Sequence, residues 1–288
     1  MLRVSTLSFP GFGIGEFDVN SVAFSIGSFE IAWYALIITL GMVCAIFYAI
    51  TQVKKIGISA DEMLDFAIIT IPIGIIGTRL YYVLSKLEEF DSFYDVINIR
   101  NGGLAIYGGL ISGAITVFVI CYVKKIKFLA FADCAMPGIM LAQAIGRWGN
   151  FMNGEAFGGE TEIFCRMGIN NVLTGYRTVY VHPTFLYESL WNVVGFLLIF
   201  FLLRRFKQYD GQIFYAACGW YGLGRMLIEG LRSDSLYTTI GNLTFRTSQV
   251  LAGAIFIVCT ALLIYFHFRR PKAPLYHKDS AKTSKNTK

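Results

Sequence analysis

The sequence predicts an all-α polytopic membrane protein with seven transmembrane helices. Hydrophobic residues make up 55% of the 288 residues and charged residues only 15%, whereas a soluble domain carries about a quarter charged residues. The mean hydropathy is strongly positive, at +0.56. Seven segments stay apolar over the roughly 20 residues that a helix needs to cross a bilayer. These observations predict a chain that lies largely within a membrane.

In chain order, the predicted spans are residues 29–50, 63–84, 104–123, 128–147, 185–203, 212–230 and 247–268. The first, third, fifth and seventh spans are each followed by a basic cluster, which begins at Lys54, Lys124, Arg204 and Arg269 respectively. The second, fourth and sixth spans instead contain single arginines near their ends, at Arg79, Arg147 and Arg225. Residues 1–270 are therefore predicted to form one integral membrane domain.

The basic clusters predict the orientation of the chain. With seven spans, all four clusters lie on one face of the membrane, and the positive-inside rule makes that face cytoplasmic. The N-terminus is then expected outside and the C-terminus in the cytoplasm. Residues 271–288 are rich in Lys, Ser and Thr, and we expect a disordered basic tail there. The N-terminus lacks the basic start and cleavage site of a removable signal peptide.

The six cysteines are scattered and include no CxxC pair. This spacing predicts neither a disulfide framework nor a metal site. Most of them lie in apolar segments, where cysteine behaves as a small hydrophobic residue. We therefore expect no metal and no cofactor.

Three arginines lie within apolar segments, namely Arg79, Arg147 and Arg225. A charged side chain at membrane depth is costly unless it faces a protein interior or a wet cavity. The planar guanidinium group suits phosphate and carboxylate, and it keeps its charge when partly buried. The three arginines therefore predict a site for an anion.

The segment 146–158, with the sequence GRWGNFMNGEAFG, follows the fourth span. Asn150 and Asn153 can donate and accept hydrogen bonds, and Glu155 can accept them or bind a cation. The glycines, which include Gly158, permit close backbone approach and left-handed turns. We interpret the segment as a loop that forms part of a site with Arg147. The alternative is that Arg147 only extends to the membrane interface.

In the sixth span, Arg225, Glu229 and Arg232 are spaced at i, i+4 and i+7. This spacing places the three side chains on one stripe of a helix. They can serve an anion site, or Arg225 and Glu229 can form a purely structural ion pair. On the predicted topology, these three lie at the level of the outer leaflet together with Tyr34, Arg79, Tyr107, Arg147, His182, Tyr187 and Glu188.

Two of these residues have alternative interpretations. Tyr107 lies among the glycines of segment 102–109, where it can face the site or belong to an interfacial aromatic belt, while the glycines can serve helix packing. His182 precedes Pro183 and Thr184 at a predicted helix start, so it can be a cap or a site residue. An arginine-rich cavity among apolar helices suits a phospholipid.

The chain resembles the bacterial prolipoprotein diacylglyceryl transferases. The resemblance is carried by segment 146–158, which looks like a long and specific signature of that family. Further matching segments, in order and spacing, are 33–34, 77–79, 102–109, 182–188 and 224–232. The C-terminal tail lies outside the resemblance.

The resemblance implies that the chain transfers the sn-1,2-diacylglyceryl group of phosphatidylglycerol to the lipobox cysteine of a preprolipoprotein. The product is a thioether, and glycerol-1-phosphate is released, in the first step of lipoprotein maturation. The family has seven spans with the N-terminus outside. We therefore expect a multi-pass protein of the bacterial cell membrane, in contact with membrane lipids and the precursor's signal peptide and with no nucleic-acid partner.

The resemblance also implies roles for individual residues. Arg147 and Arg225 would hold the head group and stabilise the developing charge, and Glu229 would orient Arg225. The residues expected to shape the substrate site are Tyr34, Arg79, Asn150, Asn153, Glu155, Gly158, His182 and Arg232.

Some relatives carry a histidine, proposed as the base, where this chain has Tyr107. A phenol with a pKa near 10 is a poor base at neutral pH. Tyr107 can be tuned by arginines, it can only position the substrate, or the thiol can ionise near the arginines without a dedicated base. A transporter or channel with an outward-facing anion site is the alternative function, but it predicts inverted repeats, which the sequence lacks.

Overall fold

The computed structural model describes residues 4–27, 29–90, 92–98, 102–233, 237–240, 243–269 and 275–278. Within these ranges the chain is mostly helical. The helices are α1 (Trp33–Val53), α2 (Ala60–Ser85), α3 (Phe93–Ile97), α4 (Ile106–Val123), α5 (Phe128–Asn153), α6 (Thr184–Phe201), α7 (Gln212–Glu229) and α8 (Thr247–Arg269).

Six helices of the described ranges are long and apolar enough to cross a membrane, namely α1, α2, α4, α5, α6 and α8. The chain is therefore a multi-pass membrane protein. The predicted sixth span coincides with α7, which has 18 residues but is not among the six. Its sequence includes Gln212, Arg225 and Glu229, which lower its apolar character.

Two helix starts differ from the predicted spans by three or more residues. Residues 29–32 form a strand rather than the start of the first span, and α1 begins at Trp33. Helix α2 begins at Ala60, three residues early, because Ser59 and Glu62 form a capping box. The Ser59 hydroxyl accepts from the Glu62 N–H at 3.1 Å, and the Glu62 carboxylate accepts from the Ser59 N–H at 3.1 Å. These bonds satisfy N–H groups that a helix start leaves free.

Helix α5 is longer than predicted, and this corrects our interpretation of segment 146–158. The helix does not end at Arg147 but continues through Asn153. Arg147 and Asn150 therefore lie one helical turn apart, on a helix rather than in a loop. Gly154 then takes a left-handed conformation with φ of 61°, as is common directly after a helix.

The segment before α1 and two of the connections between helices contain strands, so the all-α prediction is wrong for these segments. One sheet has the order β2-β1-β5-β6, and β3-β4 and β7-β8 are two-stranded. All described pairs are antiparallel. The strands are β1 (Val4–Phe9), β2 (Ile14–Asn20), β3 (Val22–Ile26), β4 (Phe29–Ala32), β5 (Met167–Asn170), β6 (Val179–Val181), β7 (Tyr237–Ile240) and β8 (Leu243–Arg246).

Residue contacts divide the chain into two compact units. The first unit comprises residues 1–47 and 135–274, and the second comprises residues 48–134 and 275–288. The first contains the described strands, α6, α7 and α8. The second contains α2, α3 and α4. The boundaries fall within α1 and α5.

In the first unit, the four-stranded sheet packs against the end of α5 and the start of α6. Leu7, Ile169 and Val181 of the sheet are buried in a cluster that also contains Phe185 of α6, and Phe151 of α5 packs against it. The rings of Phe151 and Phe185 lie 4.8 Å apart. This core fixes the two helix ends near Arg147 and Glu188.

In the second unit, α2 and α4 pack closely through glycines. A methyl group at Gly108 would overlap the Gly77 carbonyl oxygen, and one at Gly109 would lie 2.6 Å from the Thr78 side chain. The packing interpretation of these glycines is therefore confirmed.

Part of the predicted disordered tail is ordered against the second unit. The Tyr276 hydroxyl donates to the Lys125 carbonyl at 3.3 Å, and the Lys278 ammonium pairs with the Glu62 carboxylate. The expectation of disorder is therefore wrong for residues 275–278. Residues 270–274 and 279–288 lie outside the described residues.

Candidate active site

A buried carboxylate, Glu188 of α6, lies at the centre of an arginine cluster in the first unit. Glu188 is only 4% exposed. Its Oε2 forms an ion pair with Arg147 Nη2. Its Oε1 lies 2.8 Å from Arg225 Nη1 and 3.3 Å from Arg232 Nη1. One carboxylate thus gathers guanidinium groups from α5, from α7 and from the segment after α7.

A second buried carboxylate, Glu229, also contacts Arg225. Arg225 Nη2 lies 2.7 Å from Glu229 Oε2, and Glu229 is 1% exposed. The predicted pairing within α7 is confirmed, but Arg225 bridges two carboxylates rather than one. Arg246 donates to the Glu229 backbone carbonyl, one of the carbonyls that a helix end leaves without an intrahelical partner.

The formal charge of this cluster is positive. Arg147, Arg225 and Arg232 face Glu188 and Glu229, so these five described residues carry a net charge of +1. The side chains of the three arginines are 24%, 17% and 10% exposed, in that order. Buried guanidinium groups need opposite charges nearby, and an excess of positive charge favours binding of an anion.

Arg147 is the most exposed of the three, and the predicted pocket residues lie beside it. Its Nη1 is 3.5 Å from Asn150 Oδ1. Glu155 Oε1 accepts from Asn150 Nδ2 at 3.3 Å and from Asn153 Nδ2 at 2.9 Å. The structure therefore brings these four residues together at the end of α5.

Tyr34 of α1 belongs to the same region of the first unit. Its ring packs against the backbone of Gly149, where a methyl group would come within 2.7 Å of the ring. The glycine therefore allows the tyrosine to lie directly on α5, two residues after Arg147 and four residues before Asn153.

Gly158 joins the segment before α6 to the segment after α7. Its N–H donates to the His182 carbonyl at 2.9 Å, and the neighbouring Gly159 N–H donates to the Leu231 carbonyl at 2.8 Å. A methyl group at Gly158 would lie 2.6 Å from His182 Cβ and 2.8 Å from the Leu231 oxygen. Glycine is needed here because two backbones approach closely, next to Arg232.

His182 does not cap α6, since the N-cap residue is Pro183 and no side chain caps it. The His182 Nδ1 lies 3.3 Å from the Tyr187 hydroxyl, which also lies 3.5 Å from the Cys165 sulfur. The cap interpretation of His182 is therefore wrong. Its side chain contacts Tyr187, which directly precedes Glu188.

Arg79 belongs to the second unit, and its contacts differ from those of a substrate-binding arginine. Its guanidinium group donates to five backbone carbonyls at 2.6–3.0 Å, those of Asp95, Val96, Asn98, Gly102 and Gly103. An arginine side chain has five N–H donors in all. Arg79 therefore holds a loop together, and our expectation that it binds substrate directly is corrected.

Tyr107 lies at the start of α4, also in the second unit. Its ring is 6.5 Å from that of Tyr81. Its part in the chemistry stays a prediction.

Glu188 was predicted to lie at the level of the other site residues but was given no role, although the sequence carries a signal for one. A carboxylate near the start of an otherwise apolar span is a candidate functional residue by default. No carboxylate lies within one turn of Arg147 on its own helix, and its partner lies on the next helix, α6. Within the described ranges, no group of three or more His, Cys, Asp or Glu residues could hold a metal ion.

Comparisons with known proteins identify the family to which the chain is similar. The chain matches the family model described as prolipoprotein diacylglyceryl transferase over residues 21–265. It is 43% identical over 264 residues to phosphatidylglycerol–prolipoprotein diacylglyceryl transferase 1 of Clostridium perfringens (strain 13 / Type A), covering 90% of this chain and 99% of the relative. It is 40% identical over 270 residues to the phosphatidylglycerol–prolipoprotein diacylglyceryl transferase of Streptococcus pyogenes serotype M5 (strain Manfredo), covering 91% and 100%.

Proposed function

The chain belongs to the prolipoprotein diacylglyceryl transferase family, and we propose that it transfers the sn-1,2-diacylglyceryl group of phosphatidylglycerol to the lipobox cysteine of preprolipoproteins. It is a transferase that acts in the first step of lipoprotein maturation. The observation that carries this proposal is the convergence of three arginines on Glu188 with a net positive charge. The family match does not favour the alternative of a transporter or channel.

The reaction exchanges one bond to a glyceryl carbon for another. The cysteine sulfur forms a bond to the carbon that carries the phosphate ester, and the carbon–oxygen bond to phosphate breaks. The thiol loses its proton, and glycerol-1-phosphate leaves with the electron pair of the broken bond. Negative charge therefore grows on the phosphate during the reaction, and positioned donors stabilise it.

Arg147 is suited to meet that charge. It contacts Glu188 through Nη2 and Asn150 through Nη1, yet a quarter of its side chain, 24%, stays exposed. Arg225 is held between Glu188 and Glu229, so its charge is fixed in place before substrate arrives. Donors that are oriented in advance stabilise a transition state without the cost of reorganisation.

We propose that the other residues beside the arginine cluster shape the substrate pocket. Glu155 orders Asn150 and Asn153, and Gly158 closes the segment beside Arg232. Tyr34 and His182 lie at the edges. In this proposal Tyr107 positions substrate, or the thiol ionises near the arginines, because a thiol with a pKa of about 8.5 needs only a modest shift to react at neutral pH.

The proposed setting is the bacterial plasma membrane, with the site towards the outer leaflet. The chain would cross seven times, with α7 as the sixth crossing in chain order, and the N-terminus would lie outside. Phosphatidylglycerol would enter from the surrounding lipids, and the signal peptide of the precursor would bring the lipobox cysteine.

The test incubates purified protein with phosphatidylglycerol and a lipobox peptide, and then measures the mass of the peptide. We expect a gain of one diacylglyceryl group that is lost when the peptide cysteine is replaced by serine. Arg147→Ala should abolish the gain, whereas Arg177→Ala, at an exposed arginine of the same unit, should not. A folded wild-type protein that leaves the peptide unchanged would refute the proposed function.

Tyr107→Phe should weaken transfer without abolishing it, because the ring that positions substrate is kept. The rate is measured with the same peptide, and lipid binding is measured separately. Complete loss of transfer with normal lipid binding would contradict this expectation and make the Tyr107 hydroxyl an acid–base group.

A further inference from the structure

Two tryptophans clasp α6 to α7 in the first unit. Trp191 Nε1 donates to the Trp220 backbone carbonyl at 2.9 Å, and Trp220 Nε1 donates to the Trp191 backbone carbonyl at 2.9 Å. The two indole rings are stacked, with centroids 4.5 Å apart and planes 21° apart. The arrangement is reciprocal, since each helix supplies one donor, one acceptor and one ring. We call this pair the indole clasp.

A glycine follows each tryptophan by four residues, Gly195 after Trp191 and Gly224 after Trp220. In an α-helix, the N–H of residue i+4 donates to the carbonyl of residue i. The N–H of each glycine therefore donates to the same tryptophan carbonyl that accepts the hydrogen bond of the partner indole. A carbonyl oxygen has two lone pairs and can accept both bonds.

The hydrogen bond from each indole is possible because glycine has no side chain that would block the ring. A methyl group at Gly195 would overlap the Trp220 ring at Cδ1 and Nε1. A methyl group at Gly224 would overlap Trp191 at the same two atoms. The repeated pattern W-x-x-x-G, once on each helix, is therefore the sequence requirement of the clasp.

The clasp lies next to the arginine cluster. Trp191 follows Glu188 by three residues, less than one helical turn, and Gly224 directly precedes Arg225. A sliding or rotation of α6 against α7 at the clasp would therefore change the distance between Glu188 Oε1 and Arg225 Nη1, which is 2.8 Å. Displacements of about 1 Å in a catalytic group can reduce the rate by about 10²-fold.

We propose that Trp191, Gly195, Trp220 and Gly224 are positioning residues, whose clasp sets the register of α6 against α7 and thereby holds Arg225 against Glu188. The role of this register in catalysis rests on the proposed function. The clasp itself does not touch the substrate in this proposal. It acts through Arg225, whose charge is needed as the phosphate leaves.

The activity test compares glycine-to-alanine substitutions at the clasp with one elsewhere on α7. Gly224→Ala, and likewise Gly195→Ala on α6, should lower kcat about tenfold because Arg225 is displaced, with KM for phosphatidylglycerol changed less than twofold. Gly219→Ala is the matched control on α7, since its methyl group would meet Cys259 Cβ at an ordinary 3.6 Å. It should leave both constants within about twofold of wild type, as expected of a change that displaces no catalytic group.

A second test needs no substrate, so it separates failure of the clasp from failure of the proposed function. Thermal unfolding is compared for Gly224→Ala, Glu188→Gln and the double variant. If the clasp holds the ion pair, Gly224→Ala lowers Tm less in the Glu188→Gln background than in wild type, because the pair is already broken. The same cycle with Gly219→Ala should be additive.

Two results would overturn the proposal. One is a folded Gly224→Ala protein whose kcat and KM match those of Gly219→Ala. The other is an additive cycle between Gly224→Ala and Glu188→Gln. If wild type transfers no diacylglyceryl group while the cycle is non-additive, the proposed function fails and the positioning of the ion pair stands.

Discussion

Glu188 accepts ion pairs from Arg147, Arg225 and Arg232 while it is almost fully buried. The negative charge of Glu188 therefore holds the three guanidinium groups together. Without that charge, the three positive groups would repel one another. Arg225 keeps Glu229 as a second carboxylate, but the contacts of Arg147 described above include no other acid. Arg147 therefore depends most on Glu188.

Glu188→Gln removes the charge and keeps the shape of the side chain. We expect the free energy of unfolding to fall by about 3 kcal/mol, since breaking a buried ion pair leaves uncompensated charge. We also expect kcat to fall by about 10²-fold, as for loss of one positioned donor of a transition state. Thermal unfolding and the peptide mass assay measure the two effects.

The control is Glu162→Gln, which changes the same group at an exposed position of the same unit. It should match wild type in both assays. Wild-type stability and kcat in Glu188→Gln would contradict the central role given to this carboxylate.

At the scale of single residues, the sequence identified arginines that the structure brings together, but it did not identify all of their partners. The stripe of Arg225 and Glu229 follows from helical spacing alone, and the structure contains that pair. The partner of Arg147 is Glu188, 41 positions away in sequence, so helical spacing cannot identify it. The partners of Arg79 are backbone carbonyls of a loop, and helical spacing does not identify them either. Gly102 and Gly103, both with positive φ angles, supply two of these carbonyls.

At the scale of helices and strands, apolar runs predicted the interiors of helices but not all of their ends. Helix α5 continues past Arg147 to Asn153, because helix formation requires satisfied backbone groups and not apolar side chains. Gly154 was the available stop signal. Apart from β4, which lies in the predicted first span, the strands were missed because they lie outside the apolar runs. A hairpin was indicated by Pro10, Gly11 and Gly13 between residues 4–9 and 14–20.

The ordered part of the tail, residues 275–278, gives a prediction about an element. Lys278 pairs with Glu62, and Gly57, with φ of 77°, leaves room for the His277 ring. Lys278→Glu should expose Tyr276 and speed chymotrypsin cleavage there about two- to fivefold, since a partly exposed ion pair contributes about 0.5–1 kcal/mol. Gel analysis of cleavage over time measures the effect.

Lys54→Glu is the control for the tail, because it makes the same charge change at an exposed lysine of the second unit. It should leave the cleavage rate unchanged. The double variant Glu62→Lys/Lys278→Glu should recover part of the protection by reversing the pair, although Glu62 also belongs to the capping box of α2. Equal cleavage of Lys278→Glu and wild type would refute docking through this pair.

At the scale of the whole molecule, the number of membrane crossings depends on α7. Its charged residues are neutralised within the first unit, because Arg225 pairs with Glu188 and Glu229. Eight of its residues are buried, among them Gln212, Gly219 and Glu229, and it packs against both α6 and α8. A helix whose polar groups face protein can cross a bilayer without an apolar surface all round. A hydropathy criterion therefore omits a helix that the contacts favour as a span.

The seven-span topology places Phe206 and Tyr237, which flank α7, on opposite faces of the membrane. Both side chains are exposed, at 67% and 57%, so a cysteine at either position can react in a chain that lacks its six native cysteines. We expect a membrane-impermeant maleimide to label Tyr237→Cys in intact cells and Phe206→Cys only after permeabilisation. Tyr176→Cys and Lys54→Cys, both exposed, serve as outer and inner controls. Labelling of Phe206→Cys and Tyr237→Cys under the same condition would mean that α7 does not cross, and the arginine cluster would then have to be reached from a different face.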